Sequence, residues 1–237
     1  MESEEYIYPG DELELFSNAI NWKNYFASRL AKFIHGNVLE VGAGNGSTTN
    51  ILLNQNVSNW MCLEPDKELF FKLKQNLHNN NLTHNIDLQN GRISSIKSNE
   101  FDCIAYIDVL EHINDDKEEV LLASDLLSRN GNLVILSPAY NWLFSPFDTS
   151  IGHVKRYNYD SLIQLESKHL KLVHYEYLDS VGIVLNLLNK FLLRQHYPTK
   201  KQIKIWDSFV VPLSRIIDPF VARSFGKTII GIYTKII

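Results

Sequence analysis

The run Val38-Leu39-Glu40-Val41-Gly42-Ala43-Gly44-Asn45-Gly46-Ser47 constrains this chain more than any other. Val38 to Val41 reads as a short buried strand, the glycines make a tight turn, and Ser47 onward opens a helix. A strand that feeds a glycine turn and a helix N-terminus builds a corner where backbone approaches a nucleotide closely. A dinucleotide site carries G-x-G-x-x-G, with the third glycine packed on the sheet. Here the glycines fall at 42, 44 and 46, Ser47 holds the position of that third glycine, and Glu40 stands two residues before the turn.

Downstream, strands and helices alternate. Trp60 to Leu63, Ile86 with Leu88, Phe101 to Ile107, and Leu133 to Leu136 read as strands. Glu12 to Ile34 (broken near Ser17-Asn18 and stopped by Gly36), Ser47 to Asn54, Lys67 to His78, and Asp115 to Ser128 read as helices. After a long aromatic loop, Ser137 to Asn158, come a short helix from Tyr159 to Ser167 and a strand from Leu172 to Leu178. Ser180 to Ser224 is largely helical and unusually apolar, interrupted by Pro198 and Pro212, and Lys227 to Ile236 alternates as a last strand. The expectation is one α/β domain over 1–237, a mostly parallel seven-stranded sheet with one antiparallel edge strand and a helical insertion near the C-terminus. Its parts are N-terminal helices 1–36, a core 37–179, a helical cap 180–224 and a final strand 225–237.

The balance of charge excludes some partners. Net charge is -4, pI is about 6.1, and the eight histidines and 23 Lys+Arg are scattered, so no basic face invites nucleic acid. Cys62 and Cys103 each lie in an apolar strand, which reads as buried free thiols in a reducing compartment. The start, Met1-Glu2-Ser3-Glu4-Glu5, is acidic and unlike a signal peptide. The longest apolar candidate for a membrane span, Val181 to Leu193, is interrupted by Asn186, Asn189 and Lys190. A cytoplasmic location follows as the expectation.

Ligands of such sheets bind outside the carboxyl ends of the strands. Glu64, in Leu63-Glu64-Pro65-Asp66, follows strand two and suits the two hydroxyls of a ribose, with Asp66 beside it as a helix cap. Asn90-Gly91-Arg92-Ile93 follows strand three, Asp108-Val109-Leu110-Glu111-His112-Ile113 follows strand four, and Ser137-Pro138-Ala139-Tyr140-Asn141-Trp142-Leu143-Phe144-Ser145-Pro146-Phe147-Asp148 follows strand five. Gly152-His153-Val154-Lys155-Arg156-Tyr157 closes the loop.

E-x-G-x-G-x-G resembles motif I of the class I S-adenosylmethionine-dependent methyltransferases. D-V-L-E-H-I resembles the motif after strand four of small-molecule methyltransferases related to the ubiquinone-type O-methyltransferases. S-P-A-x-x-x-L-F-S-x-x-D with G-H-x-x-R-Y is similar to a subgroup of the same enzymes. The resemblance implies a Rossmann-like fold and transfer of the sulfonium methyl of S-adenosylmethionine to an O or N atom (hydroxyl, carboxylate or amine) of a small or partly apolar metabolite. S-adenosylhomocysteine is the product. The cofactor residues implied are Glu40, Gly42, Ala43, Gly44, Gly46, Glu64, Pro65, Arg92, Ile93, Asp108 and Val109. Arg92 replaces the usual acid at the adenine, so backbone near Arg92 and Ile93 takes over that contact. His112 faces the transferred methyl, and His112 or His153 is the base for a hydroxyl acceptor. Tyr140, Trp142, Phe144 and Tyr157 are assigned to an aromatic substrate wall with Asp148 and Arg156 as polar anchors; alternatively Asp148 pairs with Arg156 to stabilise the loop.

No short-spaced His/Cys/acid pair resembles a metal site, so no metal is expected. The apolar residues of 180–224, among them Leu187, Phe191, Leu192, Trp206, Phe209, Leu213 and Phe220, exceed one amphipathic face. They suit a lid, a homodimer interface or, with Lys200, Lys201 and Lys204, a membrane contact. The competing functions are a nicotinamide-dependent oxidoreductase and a non-catalytic cofactor-binding partner protein.

Overall fold

A computed structural model describes residues 6–10, 12–78, 85–97, 100–188 and 197–236. Two N-terminal helices, α1 (Glu12–Phe16) and α2 (Ile20–Leu30), precede the alternating core. The core runs β1 (Gly36–Val41), α3 (Thr49–Leu52), β2 (Val57–Glu64), α4 (Lys67–His78), β3 (Asn85–Asn90), β4 (Phe101–Ile107), α5 (Asp116–Leu126) and β5 (Leu127–Pro138). Then follow α6 (Pro146–Ser150), α7 (Tyr159–Ile163), β6 (Leu170–Leu178), α8 (Gly182–Leu188), α9 (Lys200–Ile205), α10 (Val211–Ile217) and β7 (Thr228–Lys235).

The seven strands form one sheet in the order β3-β2-β1-β4-β5-β7-β6. The pairs among β3, β2, β1, β4 and β5 are parallel, whereas β7, between β5 and the edge strand β6, runs antiparallel to both and is the one reversed strand of the sheet. The central strands are buried on both faces. Val38, Cys62, Cys103 and Val134 pack on one side with α2, and Leu39, Leu63, Ile104 and Leu133 on the other. This explains why these strands read as continuous apolar runs. Both cysteines are free and buried.

Most boundaries fall close to the sequence expectation, and the departures have local causes. α3 is shorter than expected because the glycine turn extends through Thr48 before the helix closes. β5 begins at Leu127, directly after α5, because Asn130 takes a left-handed φ of 64° and folds the chain back into pairing with β4. The aromatic loop contains α6, whose Ser145 and Asp148 form a reciprocal capping box. Pro212 does not break its helix. A wider turn over Trp206–Val210 lets Val211 N–H reach Trp206 O, and Pro212 then lies in the first turn of α10. A missing N–H costs little there.

Three buried aspartates fasten the C-terminal helices to the core. Asp207 accepts from the backbone of Asn21 (3.3 Å) and Trp22 (2.9 Å), capping α2 from a distant part of the chain. Asp179, with φ 60°, accepts from Trp206 Nε1 (2.8 Å) and Ser214 Oγ (2.5 Å). Asp218 accepts from Tyr25 Oη and Asp179 N (both 2.8 Å), from Ser180 N (3.1 Å) and from Ser180 Oγ. Phe191 and Leu192 lie outside the described residues. No helix among the described residues is long and apolar enough to cross a membrane.

Candidate active site

Parallel strands bring the ends of β1, β2, β3 and β4 to one edge of the sheet, and the antiparallel β7 starts at that same edge. A cavity of about 860 Å³ opens there. This lies in the upper part of the range for small-molecule sites, about 300–1,000 Å³. Its floor comes from Gly42, Gly44, Glu64, Gly91, Asp108 and Val109, while α8 and α9 line the other side through Leu185, Ile203 and Trp206.

The glycine turn is required by its backbone. Gly42 has φ +69°, and a Cβ there would lie 2.7 Å from Val109 Cγ2. Gly44 has φ +57°, and its N–H donates to Glu64 Oε2 at 2.7 Å. Asp66 N–H donates to the other oxygen, Oε1, at 2.9 Å. Burial pushes the Glu64 carboxyl up to about 7, against those two backbone bonds. Asp66 itself caps α4 through Leu69 N (2.8 Å) and holds the N-terminal segment through Tyr8 N (2.8 Å).

Glu40 lines the cavity from a braced position. Its Oε2 accepts from Thr49 Oγ1 at 2.7 Å and Trp60 Nε1 at 3.0 Å, so it braces α3 against β2 from the cavity's edge. Burial raises its carboxyl to about 7. Arg92 stands over the Tyr6 ring at 5.3 Å, and both line the cavity with Ile93. An acid does reach this wall. Glu119, from α5, lines it, accepts from Tyr106 Oη at 3.1 Å, and feels the Arg92 charge.

Beyond β4 the wall becomes strongly polar. Asp108 has φ 54°, a conformation that non-glycine residues adopt mainly where structure enforces it. Protein surrounds its carboxyl, and desolvation followed by the nearby Glu111 raises it to about 8. Glu111 is fully buried; Ser137 Oγ donates to its Oε2 at 2.9 Å. The His112 and His153 rings meet edge to face at 4.6 Å. Burial, then the His153 ring, lowers His112 to about 4. His153 Nδ1 bonds Asp148 Oδ1 at 2.9 Å, and its Nε2 faces Glu111 Oε1 at 3.7 Å. Burial acts to lower the His153 pKa, but the Asp148 bond and the Glu111 charge outweigh it and raise it.

Asp148 and Arg156 pair with each other. Arg156 Nε and Nη2 each donate to the Asp148 carboxyl at 2.8 Å, so the loop holds itself together. The pair still borders the cavity. The expected aromatic wall is a correction. Tyr140, Trp142, Phe144 and Tyr157 are not among the cavity-lining residues. Tyr140 stacks on Tyr177, Trp142 is 53% exposed on the surface, and the buried Tyr157 donates to Leu110 O and Asp116 Oδ2. Tyr140 has φ 62°, a left-handed turn at the start of the loop. The aromatic wall is Tyr6, Tyr8, Phe16, Trp22, Phe147 and Trp206. Lys23 also lines the cavity, and burial lowers its pKa to about 8. Nothing local in the sequence marked Lys23, Glu119 or Lys227 as cavity-lining residues.

Residues 39–133 match the family profile described as a methyltransferase domain. No curated protein matches the sequence significantly. Among solved structures, the chain is similar to a provisionally named sarcosine dimethylglycine methyltransferase from Galdieria sulphuraria (16% identity, TM-score 0.63, covering 92% of this chain and 86% of that one). It is also similar to the N-methyltransferase NodS from Bradyrhizobium japonicum in complex with S-adenosyl-L-homocysteine (14% identity, TM-score 0.60, 95% and 93% covered). A third is the [4+2]-cyclase SpnF (13% identity, TM-score 0.64, 99% of both chains). The profile match gives residues 39–133 as a methyltransferase domain, and the sheet has the Rossmann-like α/β fold of these solved structures.

Proposed function

We propose that the chain methylates an O or N atom of a small or partly apolar metabolite bound in this cavity. The carrying observation is that this cavity joins the glycine turn and Glu64 to the Asp108–Glu111–His112–His153 wall without a break. The residues fit S-adenosylmethionine as the cofactor and methyl donor. Glu64 offers two buried carboxyl oxygens for ribose hydroxyls, Gly42 and Gly44 leave room for close backbone approach, and Lys23 offers a cation. Glu119, with backbone at Ile93, stands for the acid that Arg92 displaces. When bound, the cofactor supplies an electrophilic sulfonium methyl.

The chain's own task is to orient the acceptor and exclude water, with orientation alone worth several kcal/mol. Apolar walls from Phe16, Trp22, Ile203 and Trp206 suit a partly apolar acceptor. His112 and His153, with Glu111 and Asp108, form the polar end where an acceptor hydroxyl loses its proton. The test is methyl-labelled S-adenosylmethionine in extract of the source cells, with phase partition. Label appearing in a small metabolite only when the protein is added is the expected result. His112→Ala and His153→Ala should each reduce that labelling about 10²-fold or more; full labelling by both variants excludes the polar end from the reaction.

We propose further that α8 to α10 form a lid on the cavity, because Leu185, Ile203 and Trp206 form part of its wall. Their outer face favours a second contact. Phe209, Ile216 and Phe220 are 72%, 63% and 86% exposed, Lys200, Lys201, Lys204 and Arg215 are exposed beside them, and both acids of this stretch, Asp207 and Asp218, are buried. An apolar stripe edged by cations suits an anionic lipid surface. Pelleting with phosphatidylglycerol vesicles at low salt, lost in the Phe209→Ser, Phe220→Ser double variant, is the expected outcome. No pelleting of the wild type removes this contact.

A further inference from the structure

Asp148 holds His153 Nδ1 at 2.9 Å, and so leaves the Nε2 edge of that ring toward Glu111 Oε1, 3.7 Å away. Arg156 and the backbone of Ser145 fix Asp148 in turn, and Ser137 fixes the other oxygen of Glu111. Glu111 and His153 are therefore positioned by partners outside the cluster, while the atoms that face inward are left over. Glu111 Oε1 and His112 Nδ1 are buried with no hydrogen-bond partner. Buried polar atoms rarely go unpaired, and each exception calls for an explanation. One carboxylate oxygen and two imidazole nitrogens, from Glu111, His112 and His153, lie within 4.8 Å of one another.

We propose that Glu111, His112 and His153 bind a divalent transition-metal ion at the acceptor end of the cavity. Two imidazoles and a carboxylate suit manganese, iron, cobalt or zinc, whereas magnesium and calcium prefer oxygen ligands throughout. Asp148 on His153 is the carboxylate–histidine support typical of metal ligands, which fixes the ring and its tautomer. Three protein ligands leave positions open, and all three side chains line the cavity, so an acceptor can complete the shell. Sequence spacing concealed the set, because His153 is distant in the chain from Glu111 and His112.

The inference rests on the methyl-transfer reading and narrows its acceptor to one bearing a hydroxyl. A hydroxyl bound to such an ion loses its proton, passed to water at the cavity mouth before the site closes on the acceptor, more readily than a free one. The resulting oxygen is the nucleophile that forms the new C–O bond as the S–C bond of the donor breaks.

The experiment titrates chelator-stripped protein with cobalt(II), following its visible absorption and the heat of binding. Wild type should bind one ion per chain, Glu111→Gln and His153→Ala should lose it, and Asp148→Asn should bind about 10- to 100-fold more weakly. S-adenosylhomocysteine titrations on the same samples should be unchanged, which shows that the variants fold and keep the cofactor site. Cobalt bound by wild type and lost in the variants supports the metal site even where no acceptor is methylated, so the two readings fail separately. No cobalt bound by wild type, with or without S-adenosylhomocysteine, overturns the proposal, as does equal binding by both Glu111→Gln and His153→Ala.

Discussion

Asp218→Ala is expected to lower the thermal midpoint by roughly 10 °C, the largest loss of stability from any single polar side chain described above. The carboxyl accepts four hydrogen bonds, from Tyr25 Oη, Asp179 N, Ser180 N and Ser180 Oγ, and is itself fully buried. Alanine leaves those donors without a partner. Each stranded buried donor costs about 1–3 kcal/mol, and partial relaxation brings the sum to about 4 kcal/mol. A chain of this size loses about 2–4 °C per kcal/mol. Calorimetry of Asp218→Ala beside the exposed control Asp125→Ala, expected within about 0.5 kcal/mol of wild type, checks it. A shift below about 2 °C for Asp218→Ala would mean that the C-terminal helices are not held through this residue.

Glu64→Ala should weaken S-adenosylhomocysteine binding on the order of 100-fold. Two hydrogen bonds from ribose hydroxyls to a buried carboxylate are worth about 3 kcal/mol or more together. Because the Glu64 carboxyl sits near 7, affinity also depends on pH. The ionised form accepts both hydroxyls, and the protonated form loses acceptor capacity. Affinity in wild type should therefore fall as pH drops below about 7 and level off above about 8. Titration calorimetry from pH 6 to 8 reads both effects, and Glu64→Gln should flatten the profile. A wild-type profile with no slope would show that Glu64 does not carry the ribose.

Much of the sheet was legible because its strands are buried on both faces. β4 spans Phe101–Ile107, as the apolar run indicates, and Glu64 and Asp108 stand at strand ends that border the cavity. The pairing of Asp148 with Arg156 was open between two readings; their bidentate geometry shows the loop stabilising itself. The aromatic residues of that loop were misplaced for a physical reason. Sequence gives the type of a side chain, but the partners that hold these rings, Tyr177 for Tyr140 and Leu110 and Asp116 for Tyr157, are distant in the chain, and no local pattern reports them.

The roles of Asp179, Asp207 and Asp218 were hidden for another reason. Each bonds groups far away in the chain, as with Asp207 and Trp22, so they look like solvated charges in a helical segment. The same holds for Glu119 beside Arg92, and for His153 beside Glu111. The glycine turn, by contrast, was fully legible, because positive φ at Gly42, Gly44 and Gly46 is what their residue type permits.

The most direct test of the central claim is competition between two cofactors for wild-type protein, read by quenching of its tryptophans. Trp22 and Trp206 line the cavity, so a ligand that fills it contacts both. The account predicts saturable quenching by S-adenosylhomocysteine, weakened in Glu64→Ala, and none by NADH over the same range. Quenching by NADH with no response to S-adenosylhomocysteine would contradict it and turn the same cavity into an oxidoreductase site.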